Sequence, residues 1–328
     1  MGFAMIVRRR FLQLAAGAIL APATARRALA QSYPARPVRI VVGNAPGGAT
    51  DIFARLIGQW LSERLGQTFI VENRPGAGSN IAAENVVRSP PDGYTLFLCA
   101  SANVINITLY DKLTFDFVRD TAPVAIITRE PLVITVHPSL PVRTIAEFIA
   151  YGKSNPGKLS FASTGNGTTP HIGGELFKMV TGIDMVHVPY RGGAPAMTDL
   201  VGGQVQAAFL GPAASLEHIK AGTIRALAVT SEARALALPD VPTVSESVPG
   251  YEVSQWFGLV APKGTPADVI EKLNGEINAA LNDSKVKGRL VDLGGTVEAK
   301  APGDFGKRLA DDAEKWAKVI RAAKIKAD

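Results

Sequence analysis

Short, nearly continuous apolar runs alternate along this chain with stretches in which apolar residues return every three or four positions, the pattern of strands followed by helices. The first run is Val38-Arg39-Ile40-Val41-Val42. After it, Ile52, Phe53, Leu56, Ile57, Trp60, Leu61 and Leu65 make one stripe at helical spacing, and Gly66 stands where a helix ends on a left-handed C′ residue. Phe69-Ile70-Val71 and residues 94–99 predict a second and a third strand. Two further runs, 124–127 and 132–136, are separated by Arg129-Glu130-Pro131. Thr144-Ile145-Ala146-Glu147 has the form of a capping box that opens a helix. Strands are expected at 159–162, 185–188, 205–210, 224–229 and 257–260. One helix runs through Leu176, and another through Met197, Leu200 and Val201. Thr265-Pro266-Ala267-Asp268 reads as a cap followed by a proline at the first helical position, and Phe305, Leu309, Trp316 and Ile320 mark a final helix.

This alternation predicts α/β units with largely parallel sheets. The chain has 328 residues, and about 298 of them follow an N-terminal segment with the marks of an address label. That exceeds what one core usually holds, so two lobes are expected. Repeats, low-complexity tracts and structureless linkers do not stand out, so the chain should cross between lobes on extended segments, near 129–131 and near 253–256. Lobe 1 is then discontinuous, 31–130 with 254–328, and lobe 2 is 131–253.

The address label occupies residues 1–30. Arg8-Arg9-Arg10 precedes Phe11 and Leu12, residues 12–25 are mildly apolar, and Ala28-Leu29-Ala30 gives the small-x-small pattern of a cleavage site before Gln31. The arrangement resembles a twin-arginine export signal, with an ordinary secretory signal as the alternative; both export the protein to the periplasm. The apolar run falls short of the ~20 residues that span a membrane. The label holds five of the 35 basic residues and none of the 29 acidic ones, leaving 30 against 29 in the mature chain. The overall basicity therefore belongs largely to the label, and nucleic-acid binding loses its electrostatic support. The single cysteine, Cys99, follows Leu96-Phe97-Leu98 and reads as a small buried thiol.

Candidate chemistry lies in three strand-to-helix junctions rich in glycine and small hydroxyl residues. They are Asn44-Ala45-Pro46-Gly47-Gly48-Ala49-Thr50-Asp51, Ser163-Thr164-Gly165-Asn166-Gly167-Thr168-Thr169-Pro170-His171 and Tyr190-Arg191-Gly192-Gly193-Ala194-Pro195. At a helix start unpaired N–H groups face outward and the dipole favours negative charge, while glycine lets the backbone approach a ligand. Such a site suits a carboxylate without any cationic side chain. Each loop alone reads equally well as a capped turn, with Asp51 or Thr169 capping its own helix; three together point to a cleft. Arg191 either meets a second acidic group of the ligand or is an ordinary exposed or paired arginine. His171 is the one histidine beside a candidate loop, and reads first as a helix-start residue bonded to backbone. No nucleophile elbow, phosphate loop or His-Glu-x-x-His motif is present, and Gly165-Asn166-Gly167 starts a dinucleotide-like pattern that Pro170 spoils. The four histidines lack metal-ligand spacing. No enzyme, cofactor or metal site is expected.

At these loops the chain resembles the receptors of tripartite tricarboxylate transporters, the TctC or Bug family. The resemblance rests on Pro46-Gly47-Gly48-Ala49-Thr50-Asp51-Ile52-Phe53-Ala54-Arg55, Val71-Glu72-Asn73-Arg74-Pro75-Gly76-Ala77-Gly78-Ser79-Asn80-Ile81-Ala82, residues 162–171, residues 188–196, residues 222–230 and Trp256-Phe257-Gly258-Leu259-Val260-Ala261-Pro262. It covers essentially the whole mature chain. It implies an α/β periplasmic-binding-protein fold of the two-lobed Venus-flytrap type (type II), each lobe a mostly parallel sheet flanked by helices, with the ligand between the lobes. In that family backbone amides and ordered waters from one loop on each lobe hold a carboxylate. Carried over by motif, the loops are Pro46, Gly47, Gly48, Ala49, Thr50 and Asp51, and Ser163, Thr164, Gly165, Asn166, Gly167, Thr168 and Thr169. Ser101, Arg191, Gly192, Gly193 and Ala194 would line the rest. Thr168 stands where serine is common, Ile172 where leucine is common and Arg191 where lysine is frequent; the last leaves the ligand's distal end open. The implied partner is a membrane permease of the tripartite type. A sensor kinase reading the same ligand-bound protein is the alternative partner, and an exported enzyme the alternative activity.

Overall fold

The computed structural model describes residues 33–297, 299–323, 325 and 326, so the export signal expected at 1–30 lies outside the described residues. The apolar runs become strands of two sheets. The first contains β1 (Val38–Val42), β2 (Phe69–Asn73), β3 (Thr95–Ala100), β4 (Thr121–Pro131), β10 (Ser254–Pro262) and β11 (Thr296–Val297), in the order β11-β4-β10-β3-β1-β2. The second contains β5 (Val133–Val136), β6 (Leu159–Ser163), β7 (Met185–Pro189), β8 (Ala207–Leu210) and β9 (Arg225–Val229), in the order β7-β6-β8-β5-β9. β1 is parallel to β2 and β3, and β6 to β7 and β8. The pairings of β4, β5, β9, β10 and β11 are antiparallel. Each sheet is therefore mixed rather than mostly parallel. A parallel return needs a crossover helix, and β5 and β10 enter their sheets directly from the passages without one.

Both passages between the sheets are extended. Arg129-Glu130-Pro131 does not break a strand: β4 continues through it, paired with β10 at Trp256↔Arg129, Gln255↔Glu130 and Ser254↔Pro131. Proline is tolerated there because it ends the strand. Leu132 alone separates β4 from β5. Thr230, just after β9, stitches the two passages together. Its hydroxyl accepts the Leu132 N–H (2.7 Å) and donates to the Val253 carbonyl (2.5 Å), and its backbone bonds to the same two residues. Glu252 adds a charged junction, reached by Arg129 and Lys315 (each 2.7 Å) and by the Ser254 hydroxyl (2.7 Å).

Helices cover both sheets. They are α1 (Ala49–Leu65), α2 (Asn80–Val87), α3 (Ala102–Leu109), α4 (Phe117–Asp120), α5 (Ile145–Ser154), α6 (Thr169–Thr181), α7 (Gly193–Val201), α8 (Pro212–Lys220), α9 (Ala267–Asn282), α10 (Ser284–Asp292) and α11 (Pro302–Ala323). α1 buries Phe53, Ala54, Ile57, Gly58 and Leu61, and ends at Gly66 with φ 70° as its spacing predicted. α5 is capped by Thr144, whose hydroxyl accepts the Glu147 N–H (3.1 Å). The reciprocal half of the expected box is displaced: Glu147 accepts from the Arg143 N–H at 2.6 Å. At α9, Pro266 is itself the N-cap (φ −54°, ψ 141°), and Thr265 donates instead to the Pro262 carbonyl (2.8 Å). α11 returns to the first sheet. Its Phe305 ring meets Trp256 edge-on at 5.3 Å, above Gly258, where a Cβ would lie 2.4 Å from that ring. Its Asp312 accepts the Trp256 indole N–H (2.6 Å). Cys99 is fully buried on β3, as its apolar run predicted; its Sγ bonds the Gly258 carbonyl (3.2 Å) and burial pushes the thiol pKa well up.

Candidate ligand site

The first loop leaves β1 through Gly43, which packs so closely on Ser79 that a Cβ would fall 1.6 Å from its Oγ. Asp51, buried in the first turn of α1, organises the loop. Its Oδ2 accepts the Gly47 N–H (2.9 Å) and Arg55 Nε (3.0 Å), and its Oδ1 accepts Asn73 Nδ2 (3.0 Å). Burial pushes its pKa up, but the bonds from Arg55, Gly47 and Asn73 outweigh that and hold it below the usual carboxylate range. Asn73 Nδ2 also reaches the Asn44 carbonyl (3.0 Å). Asp51 therefore bonds back to the loop rather than to the amides of its own helix. Gly47 has φ 83°, a left-handed value that a side chain resists, whereas Gly48 has φ −79°. Gly48 is the N-cap of α1 with no side-chain bond to the first amides, and Pro46, Gly47 and Gly48 are exposed. Ala49 and Thr50 follow in the first turn, Thr50 being buried.

The second loop leaves β6 at the buried Ser163. Ser163 Oγ accepts the Gly165 N–H (3.1 Å), and Thr168 Oγ1 donates to the Gly165 carbonyl (2.7 Å). Gly165 (φ 130°) and Gly167 (φ 74°) both need the left half of conformational space. The Gly167 N–H donates to His171 Nδ1 (3.2 Å), so His171 is a helix-start residue bonded to backbone. Its ring stacks on that of His187, on β7, with centroids 3.9 Å apart and planes at 9°. His187 Nε2 in turn lies 2.7 Å from Ser163 Oγ. Thr168 is the N-cap of α6 without a side-chain bond to its amides; Thr164 and Asn166 are half-buried. Thr169 does not cap its helix either. Its hydroxyl meets that of Ser101, after β3, at 2.7 Å, and both residues are buried.

Ser101, Thr169 and Gly167 therefore sit where elements of the two sheets meet. A Cβ on Gly167 would come 2.6 Å from Leu109 Cδ2 and 2.8 Å from Asn106 Oδ1, both on α3. Asn106 also links this junction toward the first loop. Its Nδ2 donates to the Gly78 carbonyl (2.8 Å) and to Asn80 Oδ1 (3.0 Å), beside the Ser79 that touches Gly43. The turn here holds Ala77, Gly78 and Ser79 at φ 48°, 61° and 78°. Asn80 Nδ2, Asn103 Nδ2 and Asn106 Oδ1 are buried without a hydrogen-bond partner in the protein. Sequence reasoning missed these three asparagines. The available signal was two amides one helical turn apart, Asn103 and Asn106, among Val104, Ile105 and Ile107.

The third loop joins the second through its backbone: the Tyr190 N–H donates to the Ser163 carbonyl (3.1 Å), and a Cβ on Gly165 would lie 3.2 Å from Tyr190 O. Tyr190 is fastened by its hydroxyl to Asp199 (2.6 Å). Arg191 and Ala194 are exposed, while Gly192 (φ 118°) and Gly193 are half-buried at the start of α7. A separate groove of about 210 Å³, lined by Glu130, Ser231, Leu236, Gly295 and their neighbours, shares no residue with these three loops.

Comparison with known proteins agrees with this architecture. Residues 53–325 match the tripartite tricarboxylate transporter family receptor, TctC. Protein BugT of Bordetella pertussis is 37% identical over 95% of this chain and 96% of its own length. The structure of Rpa4515 from R. palustris with adipate superposes with a TM-score of 0.84 at 37% identity, covering 89% of this chain and 98% of that one. MatC from Rhodopseudomonas palustris, with bound malate, superposes at 0.81 with 33% identity, covering 88% and 100%. A match of this extent, on a two-sheet α/β fold with glycine-bordered helix starts, places the chain in the TctC family of tripartite tricarboxylate transporter receptors.

Proposed function

We infer that the protein is a periplasmic solute receptor that closes around a small carboxylate and delivers it to a tripartite-type permease, without catalysing a reaction. The observation that carries this is the pair of helix starts, α1 and α6, one beside each sheet. Each lacks a side-chain cap and each follows a left-handed glycine, so its first amides are left for an anion. Two similar structures, Rpa4515 with adipate and MatC with malate, hold dicarboxylates, which supports the ligand class.

The lobes are 31–130 with 254–328, and 131–253, hinged where Thr230 ties the two passages. Gly47, Gly48, Ala49 and Thr50 grip the ligand headgroup from one lobe, and residues 164–169 from the other. Asp51 and Ser163 shape these loops from beneath, and Ser101 bonds to Thr169 where the lobes meet. Arg191, Gly192, Gly193 and Ala194 read the distal end of the ligand. Contacts to both lobes favour the closed form, which the permease recognises. Export through the N-terminal signal, with cleavage near Ala30 and Gln31, puts the receptor where such a permease takes its cargo.

A thermal-shift screen of mono-, di- and tricarboxylates, followed by calorimetry, tests the reading. At least one acid should bind in the micromolar range, roughly −8 kcal/mol. A folded protein that none of the panel stabilises would sink it.

A further inference from the structure

The second loop rests on two stacked imidazoles that reach its two glycine amides by separate routes. His171 holds Gly167 directly, and His187 holds Gly165 through Ser163. Because the Gly167 N–H donates to His171 Nδ1, that nitrogen carries a lone pair and the ring proton sits on Nε2. Ser163 Oγ already accepts the Gly165 N–H, and its single hydroxyl proton has two candidate acceptors. His187 Nε2 lies at 2.7 Å and the Gly165 carbonyl at 3.3 Å, so His187 accepts that proton in one tautomer and donates its own to Ser163 in the other. His171 is thus used as an acceptor, a role that imidazolium cannot fill at Nδ1.

We propose that the His171–His187 stack is the positioning element of loop 163–169, and that it holds the loop for ligand capture only while His171 is neutral. A proton on His171 would set two N–H groups against each other at Gly167. Two cations at a ring separation of 3.9 Å would also repel across a site that leaves His171 6% exposed. Lys178, on α6 and bonded to Glu175 at 3.0 Å, bears on His187. β6 presents Phe161, whose ring lies 4.9 Å from that of His187, and Ser163, neither of which titrates here. Burial, helped by His171 and Lys178, pushes the His187 pKa down to about 3. The proposal rests on loop 163–169 being a ligand loop, and it implies release of the ligand as the surroundings acidify.

The test uses the full mature protein with isotope-labelled histidine, and adipate as the probe. Nitrogen NMR at pH 7.5 should show His171 with its proton on Nε2. A proton on Nδ1 would overturn the proposal, whatever the variants do. His171→Ala should weaken adipate binding about five- to tenfold at pH 7.5. His171→Asn, whose Oδ1 can take the Gly167 N–H but does not titrate, should recover part of that loss. The ratio of H171N to wild-type affinity cancels the ionisation of adipate itself. It should rise about fivefold or more between pH 7.5 and 5, and a constant ratio would overturn the proposal. If adipate does not bind, amide exchange of residues 165–167, corrected for intrinsic rates, decides. Faster exchange at pH 5 in wild type but not in H171N supports the positioning role, even if no carboxylate ligand is ever found; equal behaviour refutes it.

Discussion

Glu130 is 1% exposed on β4, with one carboxyl oxygen bonded to the Gln255 amide and the other without a hydrogen-bond partner in the protein. Burial pushes its pKa up to about 8, with the Gln255 bond opposing, so the group is protonated in the folded protein at neutral pH. A folded pKa raised above the unfolded one stabilises fully below the unfolded value and is lost as pH rises through about 8. Glu130→Gln keeps the shape and removes the titration. It should be more stable than wild type at pH 8 by about 3 kcal/mol, and the gap should shrink toward pH 5. Urea unfolding at both pH values checks this; parallel wild-type and variant profiles would refute it. His187 runs the other way. Its depressed value means that stability is lost as pH falls below about 6.5. The glycines of the candidate site separate in a similar manner. Gly165→Val meets both a φ of 130° and the Tyr190 carbonyl, so it should cost stability as well as carboxylate affinity, the latter at least about tenfold. Gly48 has ordinary φ, and its nearest neighbour to a Cβ is Ala45 O at 3.7 Å. Gly48→Ala should therefore change stability by less than about 1 kcal/mol, and a loss of affinity measured by calorimetry then reports crowding of the ligand alone.

At the scale of elements, α1 was legible because seven stripe residues span nearly four turns and Gly66 closes them. α2 and α3, at eight residues each, complete barely two turns and leave too little periodicity to read. α3 carries Asn103 and Asn106, so the gap in the element reading became a gap in the site. Strand sense was misread for a related reason. An apolar run encodes burial on both faces, which fits a central antiparallel strand such as β10 as well as a parallel one. Caps were half legible. Thr144 caps α5, and Thr144→Ala should cost about 1 kcal/mol while Thr144→Ser restores most of it. Denaturant midpoints of the three proteins give the answer, and an unchanged midpoint in the alanine variant would remove the cap's role.

Across the whole molecule, the two passages between sheets converge on one side chain. Thr230→Val preserves shape but strips the hydroxyl from the buried Leu132 N–H and Val253 carbonyl, and should cost about 2–3 kcal/mol. The same substitution should leave the strand pairings intact, so far-ultraviolet circular dichroism of the variant should match wild type below the transition. A melt that separates into two steps would mean that the threonine couples the lobes; one shifted step would mean that it serves stability only. Glu252 and Asp312 extend this junction to the C-terminal helix, through Lys315 and Trp256. The last segment of chain thereby braces the passages between the sheets.

Local pattern alone determined the strand–helix alternation, the return of the last strands to the first sheet, and the three glycine loops at helix starts. These follow from side-chain size, polarity and backbone freedom, which act between near neighbours and leave a period or a motif behind. Tertiary structure alone decided that Ser101 meets Thr169 across 68 positions, that His171 stacks on His187, and that Asn106 joins Gly78 and Asn80 beside Gly167. A hydrogen bond or ring stack between distant residues depends on where packing brings two backbones, and no spacing along the chain encodes that distance.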